Sequence, residues 1–179
     1  MGYRRAVSTI GVALAIPEPW AGELQSYRTA LGDTTAEQIP THITLIPPTD
    51  VDANDLEALE RHLEWVASDR EPFVVHLRGT GTFRPVSPVV FVMLAQGISD
   101  CEQLAAAVRT GPLDIDLAYP YHPHVTVAHH LSDPLLDRAF TELADFECRW
   151  EATQFHLYTH DEAVGWSPSR SFSMGSTTA

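Results

Sequence analysis

The sequence predicts an α+β fold in which two similar halves face each other across a cleft. Strand and helix patterns follow one another in the order β-α-β-α-β, and this order occurs twice along the 179 residues. Each half carries a His-x-Thr tripeptide in an apolar strand, and the two histidines, His42 and His124, lie 82 residues apart. We therefore expect a single bilobal domain over residues 1–179, with lobes formed around repeats of about 7–80 and 88–174.

The first half contains five predicted elements: a strand at 7–16, a helix at 20–31, a strand at 41–46, a helix from 52 or 54 to about 68, and a strand at 73–78. The first strand is rich in β-branched residues, and the first helix has apolar side chains at helical spacing before Gly32. The second helix has an apolar stripe made by Leu56, Leu59, Leu63 and Val66. Pro47 and Pro48 are expected to end the second strand, because proline has no N–H to donate to a neighbouring strand. A loop at 79–88, rich in Gly, Pro and Thr, joins the halves.

The second half repeats this order, with a strand at 89–95, a helix from 99 or 100 through 108, a strand at 121–130, a helix at 133–143, one long or two short strands at 146–160, and a final strand at 165–174. The run at 89–95 is almost continuously apolar, which favours a central strand buried on both faces. Gly111 with Pro112 marks the end of the third helix, and Asp133 with Pro134 marks the start of the fourth. An approximate twofold relation between the halves would place the two His-x-Thr strands face to face.

The composition restricts the partners and the compartment. The net charge is −13 with only 11 Lys plus Arg and no basic cluster, which argues against tight binding of duplex nucleic acid but not against a small ligand with one or two phosphates. No apolar run approaches the roughly 18 to 20 residues that cross a membrane. Arg4 and Arg5 before an apolar run resemble a secretory signal, but Ser8 and Thr9 interrupt that run and favour a strand. The two cysteines lack metal or redox spacing, so we expect a reducing, cytoplasmic compartment. We also expect a monomer.

The two His-x-Thr tripeptides carry the chemistry. Alternate side chains of a strand share a face, so His42 projects beside Thr44, and His124 beside Thr126, at a spacing of roughly 6 to 7 Å. An imidazole has an ordinary pKa of about 6.5 and can take or give a proton near neutrality. Across a cleft, one imidazole can remove a proton from water while the other protonates a departing oxygen. The hydroxyls and nearby backbone amides could hold the oxygens of a phosphate between them.

The paired motifs His42-Ile-Thr44-Leu and His124-Val-Thr126-Val resemble those of the 2H phosphoesterase superfamily, which includes bacterial RNA 2′,3′-cyclic phosphodiesterases, also called 2′-5′ RNA ligases. The likeness extends over most of the chain, including the interval between the motifs and a proline before the second. It implies two antiparallel sheets that line a central groove, with the helices outside. It also implies that His42 is the general acid, His124 the general base, and Thr44 and Thr126 the phosphate holders, with no cofactor.

The resemblance implies metal-independent hydrolysis of 2′,3′-cyclic phosphates on nucleotides or RNA ends, as in RNA processing, with 2′-5′ RNA ligation as the reverse reaction. The acidic composition favours a nucleotide or an RNA end over a folded RNA body. Two alternatives stay open. One is a phosphodiesterase for 2′-5′-linked oligonucleotides or for a cyclic phosphate of ADP-ribose, and the other is a nucleotide-binding module without turnover.

Other aromatic and histidine side chains near the second motif are weaker candidates. Tyr119, Tyr121, Phe83 and Trp166 are candidates for contact with the substrate, because aromatic rings commonly stack on unpaired bases, and His122 is expected to line the groove. A metal site is the competing interpretation of the histidines at 122–130. Along a strand, however, His124 and His130 would lie roughly 20 Å apart, too far for one coordination shell, so we expect no metal.

Overall fold

The computed structural model describes residues 6–175 of the chain. Over these residues the chain forms four α-helices and eight β-strands. The helices are α1 (Trp20–Leu31), α2 (Leu56–Ser68), α3 (Ile98–Val108) and α4 (Asp133–Glu142). The strands are β1 (Val7–Ala15), β2 (His42–Asp52), β3 (Phe73–Thr82), β4 (Val89–Gln96), β5 (His124–His129), β6 (Glu147–Ala152), β7 (Gln154–Asp161) and β8 (Gly165–Ser173). Strand β1 covers most of the segment for which a signal was the alternative, and Arg4 and Arg5 lie outside the described residues.

The strands form two antiparallel sheets of four strands each. The first sheet has the order β2-β1-β7-β8 and the second the order β5-β4-β3-β6. Strands β2 and β5, which carry the two His-x-Thr motifs, are therefore edge strands, and they contact each other. Helices α1 and α4 contact β5, α3 contacts β2, and α2 contacts β8. This arrangement confirms the predicted α+β fold with two antiparallel sheets.

The sheets do not follow the sequence repeats strand for strand. Strand β3 belongs to the first repeat but pairs with β4 and β6 of the second, and β7 pairs with β1. The lobe boundary predicted near residues 80–88 therefore does not coincide with the division between the sheets. A pair of strands alone is marginally stable in water, and β3 helps to extend the β4–β5 pair into a four-stranded sheet. The segment predicted as one or two strands at 146–160 is two, β6 and β7, and each lies in a different sheet.

Three strand ends predicted from the sequence were wrong. The strand expected at 121–130 is β5, His124–His129, so Tyr121 and His122 precede it. Strand β2 runs through Pro47 and Pro48 to Asp52, which is possible because an edge strand has one side without ladder partners. The pairing of β1 with β2 shifts its register near this point, between Ile10 and Val12. Strand β3 continues to Thr82, so the loop between the halves is only 83–88.

Apolar side chains from both sheets and the helices form a continuous core. In α2, Leu59, Leu63 and Val66 are at most 1% exposed, which confirms the predicted apolar stripe of that helix. Gly32 ends α1 with φ at 102°, a left-handed conformation that favours glycine. None of the helices in the described range is both long and apolar enough to span a bilayer.

Candidate active site

The two His-x-Thr motifs meet where the edge strands β2 and β5 face each other. Apolar side chains anchor both strands from their opposite faces; the fully buried anchors are Ile43, Leu45, Val125 and Val127. The half-buried side chains left on the cleft faces are His42, Thr44, His124 and Thr126. The alternation of buried and half-buried side chains in each motif thus places two imidazoles and two hydroxyls at one cleft.

The backbone holds both imidazoles in the same way. His42 Nδ1 lies 2.5 Å from the carbonyl oxygen of Pro40, and His124 Nδ1 lies 2.6 Å from the carbonyl oxygen of His122. A carbonyl oxygen can only accept, so Nδ1 carries a proton and donates it in both rings. In each ring Nε2 is then the nitrogen that gains and loses the exchangeable proton. In neutral His42, Nε2 accepts a hydrogen bond from the Thr44 hydroxyl at 3.1 Å.

Burial lowers the pKa of both imidazoles from the ordinary value. For His42, burial outweighs the bond to the Pro40 carbonyl, and the positive charge of Arg28 lowers the pKa further. For His124, burial acts first, and the charges of His122 and His42 lower the pKa in addition. The two imidazoles of the motifs therefore lie within electrostatic range of each other. An anion bound between them would raise both pKa values, because it favours the charged form of each ring.

Two pockets open at the cleft, one beside each motif. The His42 pocket has a volume of about 150 Å³ and is bounded, beside His42 and Thr44, by residues that include Gly11, Ala13, Pro40, Tyr158 and Trp166. The His124 pocket is larger, at about 720 Å³, and is bounded, beside His124 and Thr126, by residues that include Phe83, Tyr119, His122 and His129. The cleft is thus continuous with two spaces of different size.

Two phenylalanines pack against the ring of His124. The centroid of Phe83 lies 4.9 Å from that of His124 with the rings at 89°, and the centroid of Phe91 lies 5.2 Å away. Phe83 also contacts His122 edge-on, with centroids 5.7 Å apart. Phe83 and His122, both predicted as substrate contacts, therefore border the His124 pocket, and Phe83 additionally restrains the imidazole.

Tyr121, the third predicted substrate contact, lies between the motifs rather than in either pocket. Its hydroxyl donates a hydrogen bond of 2.8 Å to the carbonyl oxygen of Thr44. Burial raises the pKa of this hydroxyl, so it stays protonated and remains a donor at neutral pH. Tyr121 thereby connects the segment before β5 to β2.

Histidines other than those of the motifs form no recognisable metal centre. Within residues 6–175, no group of three or more His, Cys, Asp or Glu side chains is arranged to hold a metal ion. His129 and His130 instead contact each other, with ring centroids 3.6 Å apart.

A family model described as the 2′-5′ RNA ligase superfamily matches residues 16–163, which include both His-x-Thr motifs. The chain belongs to the 2′-5′ RNA ligase superfamily. This membership confirms the resemblance to 2H phosphoesterases that the motifs indicated.

Relatives in the superfamily include two proteins of Bacillus whose names assign them provisionally to the phosphoesterases. The protein of Bacillus cytotoxicus is 28% identical over 141 residues, which cover 76% of this chain and 80% of the relative. The protein of Bacillus licheniformis is 28% identical over 139 residues, which cover 76% of this chain and 82% of the relative. These similarities support membership in a phosphoesterase family.

Solved structures of E. coli LigT share the fold. The complex with NADP⁺ has a TM-score of 0.66 and 19% identity, covering 95% of this chain and 99% of LigT. The complex with 3′-AMP has a TM-score of 0.62 and 20% identity, covering 94% of this chain and 99% of LigT. At these identities the likeness establishes the two-sheet fold of the 2′-5′ RNA ligase superfamily for this chain.

Several residues at the site belong to no motif and were missed from the sequence. Tyr158 and Phe91 lie at the cleft through strand pairing that the sequence does not reveal. Gly11 and Ala13 had a signal, because small residues alternate with bulky ones along β1. Such alternation indicates a strand with one crowded face and one open face.

Proposed function

We propose that this member of the 2′-5′ RNA ligase superfamily hydrolyses 2′,3′-cyclic phosphates of nucleotides or RNA ends, without a metal ion, by general acid and base catalysis from two histidines. The observation that carries the proposal is the matched geometry of the two imidazoles. His42 and His124 each donate from Nδ1 to the carbonyl oxygen two residues earlier. Each therefore has Nε2 available for proton transfer at the cleft.

In the proposed reaction, the phosphate lies between the hydroxyls of Thr44 and Thr126. His124 accepts a proton at Nε2 from a water molecule, and the water oxygen attacks phosphorus in line with the bond that breaks. The bond between phosphorus and one ribose oxygen breaks, and His42 donates its Nε2 proton to that oxygen. The product is a ribose phosphomonoester with a free neighbouring hydroxyl, and exchange with solvent restores the two protonation states.

The electrostatics of the site support these roles once a substrate is bound. In the free protein the pKa of His42 is lowered by burial and by Arg28, which disfavours the protonated acid. The negative charge of a phosphodiester would raise this pKa and supply the protonated form when it is needed. The phosphate of the substrate would thus both bind at the cleft and keep His42 protonated for its role as general acid.

The comparisons support a small nucleotide ligand. E. coli LigT has been crystallised with 3′-AMP and with NADP⁺, and it shares its fold with this chain. The net charge of −13 also favours a short ligand over a long polyanion. Ligation through a 2′-5′ bond would use the same attack on the cyclic phosphate, with the 5′-hydroxyl of a second ribose in place of water and the 3′-oxygen as the group that departs.

Hydrolysis of the four nucleoside 2′,3′-cyclic monophosphates and of a short RNA with a cyclic end, in the presence of a chelator, tests the proposal. We expect His42→Ala and His124→Ala each to lower kcat by about 10²- to 10⁴-fold, the range for loss of a general acid or base. His62→Gln is the control, because His62 lies on α2 and its Nε2 bonds to the carbonyl oxygen of Val108.

Three results would contradict the proposal. Activity within tenfold of wild type in either histidine variant would remove that residue from the mechanism. Dependence on an added metal would exclude the two-histidine route. Tight nucleotide binding without turnover would favour the binding module instead.

A further inference from the structure

We propose that the His42 pocket binds the aromatic base of the substrate, and that this pocket determines which of the two histidines lies beside the departing ribose oxygen. The inference rests on the proposed function for the position of the phosphate between Thr44 and Thr126. It adds a subsite on the His42 side, made by Gly11, Ala13 and Trp166, and a substrate class, a phosphoester that carries a flat aromatic ring.

Small side chains form the floor of this pocket. In the pairing of β1 with β2, Ala15 lies opposite His42 and Ala13 lies opposite Thr44. Gly11 continues the same face of β1, while the side chains between these positions point into the core. A Cβ atom on Gly11 would lie 3.4 Å from the ring of Trp166, so the glycine lets this ring lie close against the strand and form one side of the pocket.

The equivalent floor in the second sheet is filled by large side chains. In the pairing of β4 with β5, Met93 lies opposite His124 and Phe91 lies opposite Thr126. Met93 and Phe91 thus occupy the positions that Ala15 and Ala13 occupy in the first sheet. Phe91 packs against the ring of His124, with centroids 5.2 Å apart. The two sheets therefore present the same His and Thr, but small side chains lie opposite them in the first sheet and large side chains lie opposite them in the second.

The walls of the His42 pocket suit a flat, uncharged ring. Tyr158 pairs with Gly11 across β1 and β7, and Trp166 packs over Gly11. Pro40, in the segment before β2, forms another side of the pocket. This segment is joined to β8 by a 2.9 Å hydrogen bond from the backbone N–H of Trp166 to the carbonyl oxygen of Gln38. None of the described residues that line the pocket is Lys, Arg, Asp or Glu. Aromatic walls without charge favour stacking, which every base permits.

The pocket beside His124 is less suited to grip a ring. Two of its bounding residues, Val86 and Tyr119, are 72% and 69% exposed, and its volume of about 720 Å³ is several times larger. This space is open to solvent beside His124 and is wide enough for the attacking water, or for the ribose hydroxyl that replaces water in ligation. The base and the incoming nucleophile are thus assigned to different halves of the cleft.

This assignment fixes the roles of the histidines. The base and the cyclic phosphate are joined to the same ribose, so a base in the His42 pocket brings the ribose oxygens to the His42 side. The departing oxygen then lies beside His42, which protonates it, and water reaches phosphorus from the side of His124. The identity of acid and base follows from the pocket that holds the base.

Binding of 3′-AMP and of inorganic phosphate, followed by tryptophan fluorescence and calorimetry, tests the subsite without requiring turnover. We expect Ala13→Leu, which fills the floor, and Trp166→Leu, which removes a wall, each to lower the ratio of affinities for 3′-AMP over phosphate by roughly 5- to 150-fold, the range for a lost base stack. Trp65→Leu is the control, because Trp65 is 62% exposed on α2 and stacks on His62. A ratio that stays at the wild-type value in both pocket variants, or that falls in Tyr119→Leu instead, overturns the proposal.

A kinetic comparison separates this inference from the proposed function. Wild type and Ala13→Leu are assayed with adenosine 2′,3′-cyclic phosphate and with methyl riboside 2′,3′-cyclic phosphate, which lacks the base. We expect the ratio of kcat/KM for the two substrates to be well above one in wild type and to approach one in Ala13→Leu. Equal kcat/KM for both in wild type overturns the subsite but leaves the hydrolase intact. If wild type hydrolyses neither substrate, the proposed function is contradicted. The ratio of affinities for 3′-AMP over phosphate then tests the subsite by itself.

Discussion

The hydrogen bond from Tyr121 to Thr44 ties the segment before β5 to the strand β2, and Tyr121→Phe removes this bond while it keeps the ring. The bond is 2.8 Å long, and the side chain of Tyr121 is half-buried between the two motifs. Burial raises the pKa of the hydroxyl, so the donor is present at every pH in the neutral range. The variant therefore deletes one hydrogen bond between the halves at the point where the proposed reaction takes place.

The expected loss follows from the environment of the acceptor. A typical hydrogen bond contributes about 0.5 to 1.5 kcal/mol, and a buried acceptor left without a partner costs about 1 to 3 kcal/mol. We expect the free energy of unfolding to fall by about 1 to 2 kcal/mol. With a urea slope of about 1 to 3 kcal/mol per M, the urea midpoint then falls by roughly 0.3 to 2 M. Because Thr44 is proposed to hold the phosphate, we also expect kcat/KM for a nucleoside 2′,3′-cyclic phosphate to fall by up to about tenfold, which corresponds to about 1.4 kcal/mol.

Tyr27→Phe is the matched control for this experiment. The Tyr27 hydroxyl donates to Glu142 at 2.7 Å between α1 and α4, away from the cleft, and burial followed by Glu142 raises its pKa to about 12. We expect Tyr27→Phe to leave turnover unchanged and to cost less stability, because this bond is open to solvent. Equal losses of stability in both variants, with full activity in Tyr121→Phe, would refute the role of the bond. A rise in KM alone would return Tyr121 to the role of substrate contact that the sequence predicted.

Two further perturbations act on charges around the motifs. The pKa of His124 lies below about 6.5 and a general base must be neutral, so kcat/KM should fall by up to about tenfold per pH unit below that pKa. His122→Asn removes a charge that lowers the pKa of His124. We expect the acidic limb of the profile of kcat/KM, measured from about pH 4.5 to 9, to move to higher pH. A limb that does not move would contradict the electrostatic interaction between His122 and His124. Arg28→Met leaves Asp33 buried without its partner, since the two side chains are 4% and 3% exposed and lie 2.6 Å apart. We expect the free energy of unfolding, measured with urea at neutral pH, to fall by about 3 to 5 kcal/mol in this variant. The loss should be smaller at mildly acidic pH, where Asp33 can be buried in its protonated, neutral form. A loss below about 1 kcal/mol at neutral pH would count against a structural role of the ion pair.

The parts of the fold that could be predicted from the sequence are those that depend on patterns among neighbouring residues. The apolar stripe of α2 and Gly32 after α1 gave the helices, because helix periodicity and helix ends depend on neighbouring residues. The two His-x-Thr strands could be placed opposite each other because each tripeptide has its own apolar backing and occurs once in each half. Local alternation therefore predicted which face of each strand carries the imidazole, and the approximate twofold relation of the repeats predicted that the two strands meet.

The parts that the sequence did not predict depend on contacts between distant segments. The partners of β3 lie in the other half, and no local pattern distinguishes a strand that stays with its repeat from one that crosses. Pro47 and Pro48 were expected to end β2, and only the position of β2 at a sheet edge makes them compatible with a strand. The bond from Tyr121 to Thr44 joins residues 77 positions apart, so its role could not be read from either segment.

The two motifs hold their imidazoles in nearly identical settings, and the proposed reaction still needs the two imidazoles to act differently. The symmetric part is the His-x-Thr tripeptide with its Nδ1 bond to the backbone, and it suits chemistry in which acid and base exchange roles when the direction reverses. The asymmetric part is the neighbouring strand, where Ala13 in one half corresponds to Phe91 in the other. One half can therefore accept a ring while the other restrains an imidazole. We therefore expect substitutions at Ala13 or Phe91, one strand away from the motifs, to change the orientation of a substrate more readily than substitutions within the motifs.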